Sequence, residues 1–306
     1  MKEVLIITKV LGRQDIIGIH QNQKLSKQNI KIVEKSYDDV EILVSSDKFE
    51  IKIDNKNISE YSYIYLVNTH LNRELAVSLA IGLEYNKLNF SDPLLAFPYS
   101  GGKLIQFTYL KKSNLPFPKT YFVSTKKLKN NNLAYIEKIF NYPFIFKSTT
   151  GSKGSENYII RDRKNLLSIK DLIIDSDFYT NYVFQEYIPN DFDHRILVLR
   201  NKCYSVIKRI RQNMADFRNN SALGALEVSE PITDLNLDIC NIALNSTIAL
   251  KIDIAGVDIV VDKYTQRPYL LEINSSPGIT IGSNEEKSIT EYFNTEVNNN
   301  NIKAIH

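Results

Sequence analysis

The strongest chemical signal in the chain is the segment Gly256-Val257-Asp258-Ile259-Val260-Val261-Asp262 together with Tyr269-Leu270-Leu271-Glu272-Ile273-Asn274-Ser275-Ser276-Pro277-Gly278. The two halves read as the strands of a hairpin, one over about Ile254 to Asp262 and one over about Tyr269 to Ile273. With the turn centred on Thr265, Asp258 lies directly opposite Glu272. Glu272 and Asn274 then share one face, because strand side chains alternate. Directly opposed residues sit roughly 5 Å apart, so three oxygen ligands converge on an otherwise apolar hairpin. Opposed like charges destabilise a sheet unless something offsets them, and carboxylates within apolar strands are seldom buried without a partner. A hard divalent cation supplies the offset. Mg²⁺ is usually held by one or two carboxylates plus substrate phosphates, so the hairpin predicts a Mg-nucleotide site.

Three upstream constellations are weaker when taken singly. Phe144-Ile145-Phe146-Lys147 reads as a strand delivering Lys147 into the loop Ser148-Thr149-Thr150-Gly151-Ser152-Lys153-Gly154-Ser155. Glycines there let backbone N–H groups approach phosphates. The spacing is not that of a P-loop, and the loop leads to a strand at Tyr158-Ile159-Ile160; alone it is better explained as a solvated hairpin. In Val183-Phe184-Gln185-Glu186-Tyr187-Ile188-Pro189-Asn190-Asp191-Phe192-Asp193, a strand ends in a Pro-limited turn. Its freed backbone groups suit an adenine edge and its aspartates suit ribose hydroxyls, although an ordinary strand end explains it as well. Lys208, Arg209 and Arg211, followed by Arg218-Asn219-Asn220, form a basic run. On a strand Arg209 and Arg211 share one face and Lys208 takes the other. Cations aimed at a transferring phosphoryl group are a common electrostatic device, and a solvated face is the competing explanation. The four histidines form no His-x-x-x-His pair and no triad.

These residues need elements to position them. Val4 to Ile7, Val40 to Val44, Phe49 to Ile53 and Tyr63 to Val67 read as strands, and Glu74 to Tyr85 as a helix, together a small α/β unit of roughly 90 residues. Asp92-Pro93 and Phe97-Pro98-Tyr99-Ser100-Gly101-Gly102 mark a linker. Helices follow near Lys103 to Ser113, Leu166 to Ile174 and Leu237 to Leu250, with strands at Tyr121 to Val123 and Phe144 to Lys147. The Asn-rich end of the chain reads as a frayed tail. With 306 residues, 43% hydrophobic and 24% charged, the chain can bury a full core. Its net charge of +3 is too small to argue for nucleic acid or a membrane surface. Cys203 and Cys240 lack metal-type spacing and sit in apolar stretches, as buried reduced thiols would. No apolar run approaches the roughly 20 residues that span a bilayer, and the N-terminus lacks signal-peptide features. A cytoplasmic location is the expectation.

Taken in order, the four constellations resemble the ATP-grasp superfamily, and within it the RimK-like carboxylate–amine ligases. The resemblance is strongest over Lys103 to Gly278 and rests on Gln185-Glu186-Tyr187-Ile188, Asp193-x-Arg195, Asp216-Phe217-Arg218-Asn219-Asn220, Ala255-Gly256-Val257-Asp258-Ile259 and Leu271-Glu272-Ile273-Asn274-Ser275-Ser276-Pro277-Gly278. It implies an α/β (α+β) ATP-grasp fold: an N-terminal pre-ATP-grasp α/β domain over 1–98, an ATP-grasp domain of two α+β subdomains over 99–296, and a tail over 297–306. Lys103 and Lys147 resemble the nucleotide lysines, with Lys208 also on the nucleotide side. Gly151, Ser152, Gly154 and Ser155 resemble the phosphate-covering loop, Glu186, Tyr187 and Ile188 the adenine hinge, and Asp193 the ribose ligand. Arg209, Arg218 and Asn220 match positions near the γ-phosphate and acyl group, and Asp258, Glu272 and Asn274 the ligands of two Mg²⁺ ions, with Mn²⁺ as the alternative metal.

The implied chemistry is ATP-dependent phosphorylation of a carboxylate to an acyl phosphate, followed by attack of an amine to give an amide. The implied partners are a small-molecule carboxylate and amine, or a peptide or protein substrate; a homo-oligomer is compatible with this. Ser221-Ala222-Leu223-Gly224-Ala225 departs from the family's basic, glycine-rich continuation after Asn220, which leaves the acceptor open. The competing readings are an ATP-grasp kinase acting on a hydroxyl, a peptide-modifying, macrocycle-forming ligase, and a non-catalytic nucleotide-binding module.

Overall fold

The computed structural model describes residues 2–8, 29–44, 49–67, 69, 73–91, 103–122, 133–148, 157–175, 182–213, 216–219, 224–279 and 283–298. The expected linker, the loop residues Gly151, Ser152, Gly154 and Ser155, and Asn220 lie outside them.

The first strand, β1 (Lys2–Thr8), is apolar at consecutive positions because both of its faces are covered. It pairs in parallel with β2 (Ile30–Ser36) and β6 (Tyr63–Leu66), giving the order β2-β1-β6. Leu5 and Ile7 face one core with Leu79 and Leu83 of α1 (Arg73–Tyr85). That core also holds Ile51 and Ile53 of β4 (Phe49–Ile53), the middle strand of an antiparallel sheet between β3 (Val40–Val44) and β5 (Lys56–Asn57). Gly82 of α1 is pressed against this sheet; a Cβ there would lie 2.7 Å from both Ile51 Cδ1 and Phe49 Cζ. Val4 and Ile6 face the other way, into a second core.

After α2 (Lys103–Lys112) comes a four-stranded antiparallel sheet. It is built from β7 (Thr120–Phe122), β8 (Phe144–Ser148), β9 (Asn157–Ile160) and β10 (Tyr182–Glu186) in the order β7-β10-β8-β9. Its aromatic face, with Phe144, Phe146 and Phe184, packs on α3 (Leu133–Ile139) and on Leu166 of α4 (Arg163–Asp175).

The larger sheet is five-stranded and antiparallel, in the order β13-β12-β11-β14-β15. Its strands are β11 (Phe192–Leu199), β12 (Lys202–Ile210), β13 (Leu226–Glu230), β14 (Ile254–Val261) and β15 (Pro268–Asn274). Ile196, Val198, Val257, Ile259 and Leu270 pack under α5 (Leu237–Leu250), where Asn236 caps the first turn by accepting from Asp238 N at 2.8 Å. Leu197, Leu199 and Ile254 face the opposite side and share the second core with Val4, Ile6, Tyr63 and Tyr65. Ile289, Tyr292 and Phe293 of α6 (Asn284–Asn298) fill the same core. Helix α6 runs two residues into the stretch expected to be tail.

Candidate functional site

The β14–β15 hairpin places Asp258, Glu272 and Asn274, the three residues expected to offer oxygen ligands. Asp262 Oδ1 accepts from Tyr264 N and Thr265 N, each at 2.8 Å, and Asp262 N donates to Arg267 O, so the connection centres between Tyr264 and Thr265. From that turn the ladder runs Val261↔Pro268, Val260↔Tyr269, Ile259↔Leu270, and then shifts to Asp258↔Glu272. Leu271 is the extra residue of a bulge. Without it Glu272 would oppose Val257 and turn to the core face. The expected pairing of Asp258 with Glu272 therefore holds, but through a bulge. Asn274 pairs with Gly256 on the same ladder. A Cβ on Gly256 would lie 3.0 Å from Pro277 Cβ and 3.7 Å from Arg195 Nε, so the Ser-Ser-Pro-Gly turn folds over a position kept bare for it.

Asp258 is buried and already engaged. Arg195 donates to it twice, Nε to Oδ1 at 2.9 Å and Nη2 to Oδ2 at 3.0 Å, and Arg209 Nη2 lies 3.2 Å from Oδ2. Arg209 in turn donates to both oxygens of Asp193, at 2.7 and 2.8 Å. The register explains the arrangement: Asp193 opposes Arg209 across β11–β12, and Arg195 opposes Asp258 across β11–β14. Burial alone pushes the Asp258 carboxyl up, but the two guanidiniums outweigh it and hold Asp258 below its ordinary value. Asp193 is pushed up to about 6 by burial and by the neighbouring Asp258 charge, against the pull of Arg209. Arg195 appeared in the sequence motif without a role; its spacing two residues after Asp193 was the available signal.

A second group meets Glu272. Lys103 Nζ lies 3.4 Å from Glu272 Oε1, and α2 is held beside β15 by Gln106, which donates to Ile273 O at 2.9 Å and accepts from Ile273 N at 3.3 Å. Lys147, at the buried end of β8, stands over the Phe107 ring at 5.4 Å from its centroid. Burial pulls its ammonium down to about 8; Lys103 adds to that and Glu272 opposes it. Thus the structure brings Lys103, Lys147, Asp193, Arg209, Asp258 and Glu272 into one contiguous cluster.

The remaining expected residues are placed differently. Glu186 is exposed and accepts from Lys119 N at 3.2 Å, tying the turn after β10 to the start of β7; Ile188 is buried and its carbonyl accepts from Asn190 Nδ2 at 2.7 Å. Tyr187 is half-buried in the same turn. Arg218 is held by its own loop, with Nη2 2.7 Å from Asp216 Oδ2, and it holds the Asp216 carboxyl at about 2. Arg211 and Asn219 both bond Asn190, joining that loop to the turn after β10. Lys208 does not join the cluster: it stands on the other face of β12, over the Phe192 ring at 3.9 Å and 3.4 Å from Glu230. The alternation that aims Arg209 at Asp258 aims Lys208 away.

The donor set fits an oxygen-preferring divalent cation, since it offers two opposed carboxylates and an amide oxygen. A carboxylate has about four lone-pair sites, and the arginines use three on Asp258, so this residue has one to give. Among the described residues no three His, Cys, Asp or Glu side chains form a metal group of their own. A cavity of about 570 Å³ lies elsewhere, between α2, α5 and the end of the hairpin, and none of the expected residues lines it. Among the described residues no helix is long and apolar enough to cross a membrane.

A family model of the RimK-like ATP-grasp domain matches residues 101–293. A protein named "Probable alpha-L-glutamate ligase" from Parasynechococcus marenigrum (strain WH8102) is 29% identical over 194 residues, 63% of this chain and 39% of that protein. One of the same name from Klebsiella pneumoniae (strain 342) is 31% identical over 139 residues, 45% of this chain and 44% of that protein. The match thus spans about two fifths of the length of these curated relatives. The solved structure of the ATP-grasp ligase PsnB complexed with a minimal precursor overlays with a TM-score of 0.70 at 13% identity, covering 96% of this chain and 99% of that one. The fold is therefore an ATP-grasp fold.

Proposed function

The chain belongs to the RimK-like ATP-grasp family, and on that footing we propose that it is an ATP-dependent carboxylate–amine ligase. It would activate a carboxylate as an acyl phosphate and pass the acyl group to an amine. The observation that carries the proposal is the meeting of Lys103 and Lys147 with Glu272, directly opposite an Asp258 clamped by Arg195 and Arg209.

In this reading Lys103 and Lys147 bind the phosphates of ATP as point charges. The Glu186-Tyr187-Ile188 turn receives the adenine edge, and Asp193 keeps lone pairs beyond those used by Arg209 for a ribose hydroxyl. Asp258, Glu272 and Asn274 would hold Mg²⁺, which would neutralise charge on the phosphoryl oxygens. Arg209, fixed by two carboxylates, presents positive charge at a set position and needs little reorganisation as charge develops. Arg218 and Asn220 belong to the acyl side, beside the stretch that departs from the family pattern. We assign the region before residue 99 to substrate selection and 99–296 to ATP binding, with a cytoplasmic location.

Full-length overlay with a ligase bound to its precursor favours a peptide as the amine or acid over a free amino acid, and this is the second reading. The test is incubation with ATP and Mg²⁺ against pools of carboxylates, amines and short acidic peptides, recording phosphate release and product mass. The proposal expects ADP, free phosphate and a condensed product. A phosphorylated alcohol in place of free phosphate would establish the kinase reading and end this one.

A further inference from the structure

Outside the cluster, the described residues include a close pair of thiols that the proposed reaction does not use. Cys203 lies on β12 and Cys240 in the second turn of α5. Their sulfurs are 2.8 Å apart, well inside ordinary non-bonded contact, and Cys203 Sγ also approaches the Cys240 carbonyl at 3.7 Å. The pairing has a cause in the sheet. The β11–β12 register shifts from Leu197↔Ser205 to Val198↔Cys203, leaving Tyr204 as the extra residue of a bulge. That bulge puts Cys203 on the α5 side with Ile196, Val198 and Val206; a regular ladder would turn it away. Both thiols belong to the apolar core that also holds Ile239, Ala243 and Val206, and among the described residues no His, Asp or Glu joins them in a metal group.

We propose that Cys203 and Cys240 form a redox-modification site at which a peroxide produces an intramolecular disulfide stapling α5 to β12. The sulfurs need to close by less than about 1 Å to reach the bond length of a disulfide. Cys203 is buried and Cys240 is half-buried, so the oxidant meets Cys240 first. Burial also pushes the Cys203 thiol up, so it is the less ready of the two steps' nucleophiles and its attack relies on the close approach of the two sulfurs. The Cys240 sulfur takes an oxygen from hydrogen peroxide to give a sulfenic acid and one water. The Cys203 sulfur then attacks that sulfur, the S–O bond breaks, and the hydroxyl leaves with the Cys203 proton as a second water. The sum is two thiols plus one peroxide giving one disulfide plus two waters.

The experiment treats the full chain with near-stoichiometric hydrogen peroxide, alkylates the remaining thiols and reads intact mass and a non-reducing peptide map. The expected result is a loss of about 2 Da per chain, a single cross-linked peptide pair holding both cysteines, protection of both from alkylation, and full reversal by dithiothreitol. The melting midpoint should rise by a few degrees on oxidation, because the bond closes a long loop. Cys240→Ser should abolish the mass loss and the shift in midpoint; its half-buried position makes it the safer variant should Cys203→Ser fold poorly. Oxygen adducts without cross-linking, bonds between chains, or two thiols still open to alkylation would each overturn the proposal.

Discussion

Two neighbouring parts of the site are built on opposite electrostatic plans. On the five-stranded sheet, Asp193, Asp258, Arg195 and Arg209 balance two negative charges with two positive ones. Every member is tied by short hydrogen bonds, and the Asp193 and Arg209 side chains are each only 6% exposed. At the edge of the sheet, among the described residues, Lys103 and Lys147 both face one acid, Glu272, which is 34% exposed. The balanced part is complete in itself and sets positions. In the second part Lys147 bears a cost of burial that an anion would relieve.

The sharpest break of this comparison is Arg209→Met. It strands the buried Asp193 carboxylate and takes one of its two guanidiniums from Asp258, and should cost about 3–5 kcal/mol of folding stability, read by urea denaturation; a loss below about 1 kcal/mol would mean that the pairs are not interdependent. Lys147→Met should do the reverse. Removing a charge whose burial is unfavourable should leave the chain as stable or more stable by roughly 1–2 kcal/mol, while weakening ATP binding at least about tenfold by calorimetry. Its pH signature follows from the sign of the shift. The Lys147 proton leaves the folded chain near 8 and the unfolded chain near 10.5. Between those values the unfolded state binds more protons, so stability gains with rising pH in that window. The variant should lack that gain.

Glu272→Gln should leave folding within about 1 kcal/mol and remove most of the magnesium-dependent part of nucleotide affinity; unchanged magnesium dependence would take Glu272 out of the metal set. The smallest effect lies outside both regions. Burial pushes Asp253 up to about 6, beside Arg200 and Glu296. A raised carboxyl contributes its stability below the unfolded value of 3.8 and loses it as the pH rises to about 6. Asp253→Asn should therefore gain roughly 1 kcal/mol at pH 7 and flatten the stability profile between pH 4 and 6, read from melting curves.

How much of this was legible in the sequence depends on the kind of signal. The helix expected near Leu237 to Leu250 is α5 to the residue, and the two hairpin strands fall within one residue of their expected ends. The Asp258–Glu272 pairing was reached through a turn centred on Thr265; the real turn sits half a residue earlier and the bulge at Leu271 restores the register. No local pattern marks that bulge, since Leu271 is as good a strand residue as its neighbours. The partners of Asp258 were illegible for another reason. Arg195 and Arg209 arrive from two other strands, and only the sheet order puts them together. Helix α6 was missed because its apolar residues are few, although Ile289, Tyr292 and Phe293 keep helical spacing. Strand β2 and the edge strand β13, with exposed residues on both faces, carry no clean alternation.

Helix α6 also bears on how the chain is made. Tyr63 and Tyr292, whose hydroxyls lie 3.2 Å apart in the core between the two sheets, are 229 residues apart in sequence. At about 5–20 residues per second, translation leaves the Val4, Ile6, Tyr63 and Tyr65 face without α6 for roughly 10–45 s. Leu197, Leu199 and Ile254 reach that face sooner, but its cover is complete only when α6 has been made.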